Sequence, residues 1–152
     1  MTTKRIDVLL ADYGDAHRAP GNIFCHIFGI TLIVFGVFSM LHAVPIAGLL
    51  TASEALAAVA SAWYLSLDFG LGVAMVGAEA VLDLAARLIG NWRVGAAAFV
   101  VGWILQGIGH GVYEKNSPAF FRNLVHLLVG PAFLVNKFLK IRPTQASAAA
   151  LR

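Results

Sequence analysis

Gln106-Gly107-Ile108-Gly109-His110-Gly111-Val112-Tyr113-Glu114 closes an apolar run that opens at Val94. If the run is helical, Gln106, His110 and Glu114 fall at i, i+4 and i+8 and share one face. The product is a polar stripe at the end of a greasy helix. A charge at mid-bilayer costs roughly 2.5–3.5 kcal/mol on insertion scales, so such groups face a partner, a cavity or an ion and not lipid.

The rest of the chain suits a membrane. It has 152 residues, 59% of them hydrophobic and 12% charged, with a mean hydropathy of +0.79, whereas a soluble domain is about 25% charged. This predicts an all-α, multi-pass helical bundle forming a single integral membrane domain over residues 1–143. Cys25 is the one cysteine and excludes an internal disulfide. The net charge of +3 is spread over ends and loops without a dense run, so nucleic acid is not an expected partner. Lys4, Arg5, Asp7, Asp12, Asp15 and His17 crowd the first seventeen residues, which do not read as a signal peptide.

Hydropathy divides the chain into four spans. Before them, Ile6, Leu9, Leu10 and Tyr13 lie at i, i+3, i+4 and i+7, which predicts a short amphipathic helix on the bilayer surface. Pro20-Gly21 is expected to break the chain between His17 and His26 and let both turn to one point. The first span runs from Ile23 to Val44. The second follows Thr51-Ala52-Ser53-Glu54, a capping box, through Ala55 to Leu67, although Pro45 offers another start. The third, Phe69 to Ile89, carries Glu79, Asp83 and Arg87 at four-residue intervals, and Asp83 and Arg87 are expected to pair. The fourth is Val94 to Val112, where Gly107 and Gly111 form a small-xxx-small pair for close helix approach. Ser117-Pro118 starts a last segment, kinked at Gly130-Pro131, that re-enters or crosses as a fifth helix. Thr144 to Arg152 is an expected disordered tail.

An even number of crossings returns the end of the fourth span to the side where the first begins. His17, Asn22, His26, Gln106, His110 and Glu114 can then converge. Lys4, Arg5, Arg18, Lys115 and Arg122 argue that this side is cytoplasmic, and Arg87 and Arg93 in the opposite loop weigh against it. A neutral imidazole beside a carboxylate is what a divalent iron site requires. Each residue also has a plain alternative. His110 and His26 could serve a hydrogen-bond network, His17 could be a surface residue, and His126 a polar neighbour of Arg122. Glu114 either binds metal or orients His110. His42, sixteen residues beyond His26 and about 24 Å along a helix, belongs to the far side.

The pattern Tyr13, His17, Asn22-Ile23-Phe24-Cys25-His26, then Trp103, Gln106-Gly107-Ile108-Gly109-His110, Glu114 and Ser117-Pro118-Ala119, resembles the Mpo1-like membrane proteins. The resemblance implies an iron(II)-dependent dioxygenase that shortens 2-hydroxy fatty acids by one carbon, in α-oxidation. His17, His26 and His110 match the family's histidines, and His126 does not fit the pattern. The resemblance thus gives His17, His26 and His110 as metal ligands; His126, from its place on the last segment, is a further candidate ligand, and Glu114 and Gln106 are the expected catalytic groups. Arg122, with Asn22 and Asn123, takes the substrate, its guanidinium meeting the carboxylate. Dioxygen and membrane lipid are the other partners, and oligomeric state stays open. The family's eukaryotic members sit in the endoplasmic reticulum, and Ala-rich usage in this chain points to a bacterial source and so to the inner membrane. The rival readings are a bis-histidine haem protein and a small transporter or metal carrier.

Overall fold

A computed structural model describes residues 4–15, 17–114 and 124–142, and the architecture is helical apart from one short ladder. Helix α1 spans Arg5–Asp15 and α2 spans Pro20–Leu41. Pro20 opens α2 rather than breaking the chain, because a proline at the first turn gives up an N–H that would have no helical partner. The turn falls instead at residues 17–19. Beyond α2, strands β1 (Pro45–Ala47) and β2 (Leu50–Thr51) pair antiparallel, with Gly48 in the turn at φ 56°.

Helix α3 covers Ala52–Leu67. The expected capping box is in place: the Thr51 hydroxyl accepts from the Ser53 N–H at 3.3 Å and Glu54 accepts from the Thr51 N–H at 2.8 Å. Asp68 alone joins α3 to α4 (Phe69–Ile89), accepting from the Leu71 N–H at 3.0 Å. Helix α4 ends at Gly90, whose φ of 60° suits a residue without Cβ. Helix α5 (Trp92–Ile108) runs into a π-helical turn, Gly109–Glu114, and α6 covers His126–Leu139 with Pro131 inside it.

Among the described residues, three helical stretches are long and apolar enough to cross a membrane: Pro20–Leu41, Phe69–Ile89 and Trp92–Glu114. The second expected span, α3, has 16 residues, short of the ~20 a span needs. Ser117, Pro118, Arg122, Asn123 and the tail from Thr144 lie outside the described residues.

Glycines bring α2 and α5 together. A Cβ on Gly36 would sit 2.6 Å from the Gly95 carbonyl oxygen, and one on Gly102 would sit 2.7 Å from that of Gly29. These positions recur every seven residues on both helices, so the backbones touch along one antiparallel seam. Gly107 and Gly111, expected to do this, have nothing within 4 Å of an added Cβ. Both face outward.

The apolar face of α1 packs on protein rather than on the bilayer surface. Ile6, Leu10 and Tyr13 are buried with Tyr64, Leu71 and Met75 from α3 and α4 and with Val129 and Ala132 from α6. Both ends of α6 are tied to α1. His126 Nε2 meets Asp12 at 2.9 Å, and Arg142, just past the helix, donates to Asp7 at 2.6 and 2.9 Å and to Asp68 at 3.3 Å. Lys4 adds a 2.7 Å bond to Asp68. Burial alone would raise the Asp7 and Asp68 carboxyls. Their hydrogen bonds, from Arg142 and Lys4 on Asp7 and from Leu71, Lys4 and Arg142 on Asp68, outweigh it and hold both below the ordinary carboxylate range.

At the opposite end, Arg87 pairs with Glu54 of α3, not with Asp83 as expected. Asp83 accepts from Ser53 at 2.5 Å and faces His42 Nε2 at 3.0 Å. The start of α3 supplies each group with a nearer partner than its own helix does.

Candidate metal centre

His17 follows the last turn of α1, where backbone carbonyls lack helical partners. Its Nδ1–H donates to the Tyr13 carbonyl at 2.5 Å, and the two rings stack with centroids 3.9 Å apart and planes 8° from parallel. His26, in the second turn of α2, donates from Nδ1 to the Asn22 carbonyl at 2.9 Å. In both imidazoles the second nitrogen, Nε2, therefore carries the lone pair when the ring is neutral.

The seam between α2 and α5 brings His110, at the entry to the π-helical turn, against this pair. Centroid separations are 4.5 Å for His17 and His26, 4.9 Å for His17 and His110, and 4.9 Å for His26 and His110, with the rings close to perpendicular. One nitrogen from each lies within 4.8 Å of the other two. All three residues are buried, and His17 Nε2 and His110 Nδ1 have no hydrogen-bond partner among the described residues. Burial pushes the His17 imidazole down to about 4, against smaller upward effects of its Tyr13 bond and of Glu114. The ring is neutral near pH 7, the form that binds a metal.

Beside the triad lies a cavity of about 70 Å3. Tyr13, Gln106 and His126 complete its polar end, and Ile30, Ile33, Val34 and Trp103 its apolar end. Gln106 lies against Gly29, and its Nε2 is buried without a partner among the described residues.

Of the residues expected at the site, His17, His26 and His110 come together. His126 borders the cavity but stands outside the triad, against Asp12 and edge-on to Tyr13. Glu114 is not among the clustered groups but is tied beside them to the start of α2, accepting from the Ala19 N–H at 2.6 Å and from Asn22 Nδ2 at 3.3 Å. The π-helical turn explains this, since it breaks the i, i+4, i+8 register that a regular helix would impose on Gln106, His110 and Glu114. Asn22, fully buried, links Glu114 to His26 through its side chain and carbonyl. Arg122 and Asn123 lie outside the described residues. Cys25 is buried near Gly109 and is not one of the clustered groups.

The sequence marks Tyr13 as an apolar residue of α1 and as part of the family pattern, but not as a site residue, yet it holds His17 by ring and carbonyl together. The signal was its spacing: Tyr13 precedes His17 by four residues, as Asn22 precedes His26.

The sequence pattern of the family described as "2-hydroxy-palmitic acid dioxygenase Mpo1-like" matches residues 3–142. The 2-hydroxy-palmitic acid dioxygenase MPO1 of Saccharomyces cerevisiae is 33% identical over 134 residues, covering 86% of this chain and 77% of that protein. No solved structure matches. A match over nearly the whole length, including the three histidines that the fold gathers beneath α1, leaves one conclusion: the chain belongs to the Mpo1-like family.

Proposed function

We propose that the protein is a membrane-embedded dioxygenase that uses iron(II) to convert 2-hydroxy fatty acids into acids one carbon shorter. The observation that carries this is the triad of buried imidazoles. Two of its nitrogens have no hydrogen-bond partner among the described residues, an arrangement that costs roughly 1–3 kcal/mol per group. A divalent metal held by His17, His26 and His110 removes that cost. Imidazole suits iron, although copper, nickel and zinc accept it too.

Iron(II), when bound, supplies the activation of dioxygen that carbon–carbon cleavage needs. The chain supplies the rest. Three neutral imidazoles leave the metal's charge unbalanced in a buried site, which favours a chelating anion such as the carboxylate and hydroxyl of a 2-hydroxy acid. Gln106 offers its free Nε2–H to that anion from the cavity wall. Arg122 is assigned a second contact with the carboxylate, and Asn123 one beside it. Tyr13 keeps His17 oriented, and Ile30 with Trp103 keeps water from the apolar end. Dioxygen is the sole oxidant required. C1 leaves as carbon dioxide, C2 becomes the new carboxyl, and water carries off the remaining oxygen.

For topology, we assign four crossings to α2, α3, α4 and α5, with α6 re-entrant and the site on the cytoplasmic side of the membrane; α3, though shorter than a full span, lies along α4 from Ser53 beside Asp83 to Asp68 at the start of α4. Support comes from the attachment of both ends of α6 to α1. Lys4, Arg5, Arg18, Lys137, Lys140 and Arg142 belong to α1, α6 and their flanks, against Arg87 and Arg93 at the other end. The haem alternative is disfavoured, because imidazoles with centroids 4.5–4.9 Å apart leave no space for a porphyrin between them. The transporter alternative rested on charges inside spans. Glu79 is occupied by Ser61, Asp83 by Ser53 and Arg87 by Glu54.

The test is to load detergent-purified protein with iron(II) under nitrogen, add 2-hydroxypalmitate and oxygen, and assay pentadecanoic acid by mass spectrometry. The wild type should form it, and His110→Ala should lose both iron and product. Wild-type iron content in His110→Ala would overturn the assignment.

A further inference from the structure

The cavity beside the triad does not end at the imidazoles. Its wall continues down α2 through Ile30, Ile33 and Val34, the last lying eight residues past His26, about 12 Å at 1.5 Å per residue. Trp103 of α5 faces them, and Leu127 and Pro131 of α6 form the third side. Two other directions are closed. Glycine contacts bring the α2 and α5 backbones together at Gly29 with Gly102 and again at Gly36 with Gly95. Toward the core stand Val129 and Ala132, both wholly buried. Ile33, Val34 and Trp103 are by contrast only half-buried, on helices long and apolar enough to cross the membrane.

We infer that this furrow between α2, α5 and α6 is the path of the substrate's acyl chain, open sideways to the bilayer, and that Ile33, Val34 and Trp103 determine which chains fit. The inference rests on the reading of the triad as the site of a 2-hydroxy acid. Its occupant follows from continuity: among the described residues, a polar head held at His17, His26 and His110 meets one apolar exit, and that exit leads toward lipid. Hydrocarbon tails are as apolar as the furrow, so transfer from bilayer to protein gains little, and the furrow selects by shape.

Two measurements test this. Val34→Trp fills the furrow below the triad, and it should lower the ratio of kcat/KM for 2-hydroxypalmitate to that for 2-hydroxyoctanoate by roughly tenfold. Val81→Trp, on the exposed face of α4, should leave the ratio as in the wild type. An unchanged ratio in Val34→Trp overturns the inference. The second measurement needs no turnover: 2-hydroxypalmitate carrying a mid-chain diazirine is photolysed on the iron-loaded protein and the adducts are mapped. Adducts concentrated on Ile33, Val34 and Trp103 support the furrow. Adducts spread equally over lipid-facing positions such as Val81 and Leu84 show a chain lying free in the bilayer and overturn it. A wild type that labels in the furrow yet forms no pentadecanoic acid would refute the proposed reaction while sustaining the chain path.

Discussion

Tyr13 and His17 are joined twice, by parallel rings 3.9 Å apart and by a 2.5 Å hydrogen bond from His17 Nδ1 to the Tyr13 carbonyl. The bond selects the tautomer and the stack selects the ring plane. Any backbone can offer the carbonyl, so the side chain's own contribution is the plane. Tyr13→Ala should weaken iron binding by roughly ten- to a hundredfold, the usual effect of removing a group that orients a ligand, while Tyr13→Phe should stay near the wild type. Iron titration under nitrogen checks it, and equal affinity in Tyr13→Ala would mean that His17 is held by other means.

His126 separates the two ways of touching the site. It lines the cavity but pairs with Asp12 and is not among the clustered histidines. His126→Gln should therefore keep wild-type iron content by elemental analysis, whereas His17→Gln and His26→Gln should lose the metal. Loss of iron from His126→Gln would make it a ligand.

Glu114 fastens the start of α2. Its carboxylate takes the Ala19 N–H and the Asn22 amide, a negative charge at a helix N-terminus where donors lack partners. Glu114→Ala should cost roughly 1–2 kcal/mol of stability, seen as a lower Tm in detergent, and the triad should still take up iron. A Tm equal to the wild type's would show that this clasp contributes nothing.

The glycine seam sets the separation of His26 from His110. Gly102→Val inserts atoms where a single Cβ already lies 2.7 Å from the Gly29 carbonyl. Overpacking of this kind costs about 1–3 kcal/mol, and here it should also reduce iron uptake. Gly107→Ala and Gly111→Ala add a methyl to open space and should retain iron at the wild-type level. Comparing iron content across the three variants checks the contrast.

Acid should loosen the ends of α1 and α6 first. Asp7 and Asp68 both have pKa values held below 3.8, their ordinary value. A carboxylate with a depressed folded pKa contributes stability that is fully present above its unfolded value and is lost as pH falls through the folded one. Stability should thus be flat with respect to these groups above about pH 4 and fall below it. Arg142→Met should shrink that acid-dependent loss, as read by Tm against pH, and an unaltered profile would place the dependence elsewhere.

Much of the molecule was legible locally. Apolar run length marked α2, α4 and α5, the Thr51 and Glu54 pair marked the start of α3, and the four- and three-residue steps from Ile6 to Leu10 to Tyr13 marked α1. Where partners came from afar, local rules failed. Arg87 stands one turn from Asp83 but meets Glu54, because α3 folds its first turn against α4. Apolarity told that α1 needed a cover, not whether lipid or α6 would provide it.

By itself the sequence determined a predominantly helical chain with apolar helices long enough to cross a membrane and histidines placed near helix ends, since hydropathy and helical period depend only on neighbours in the chain. The tertiary structure alone decided that His17, His26 and His110 meet while Glu114 and His126 stand aside. The reason is steric: close backbone approach at Gly29, Gly36, Gly95 and Gly102 and the π-helical turn after Ile108 fix which side chains face one another, and neither is expressed in the spacing of residues along a single helix.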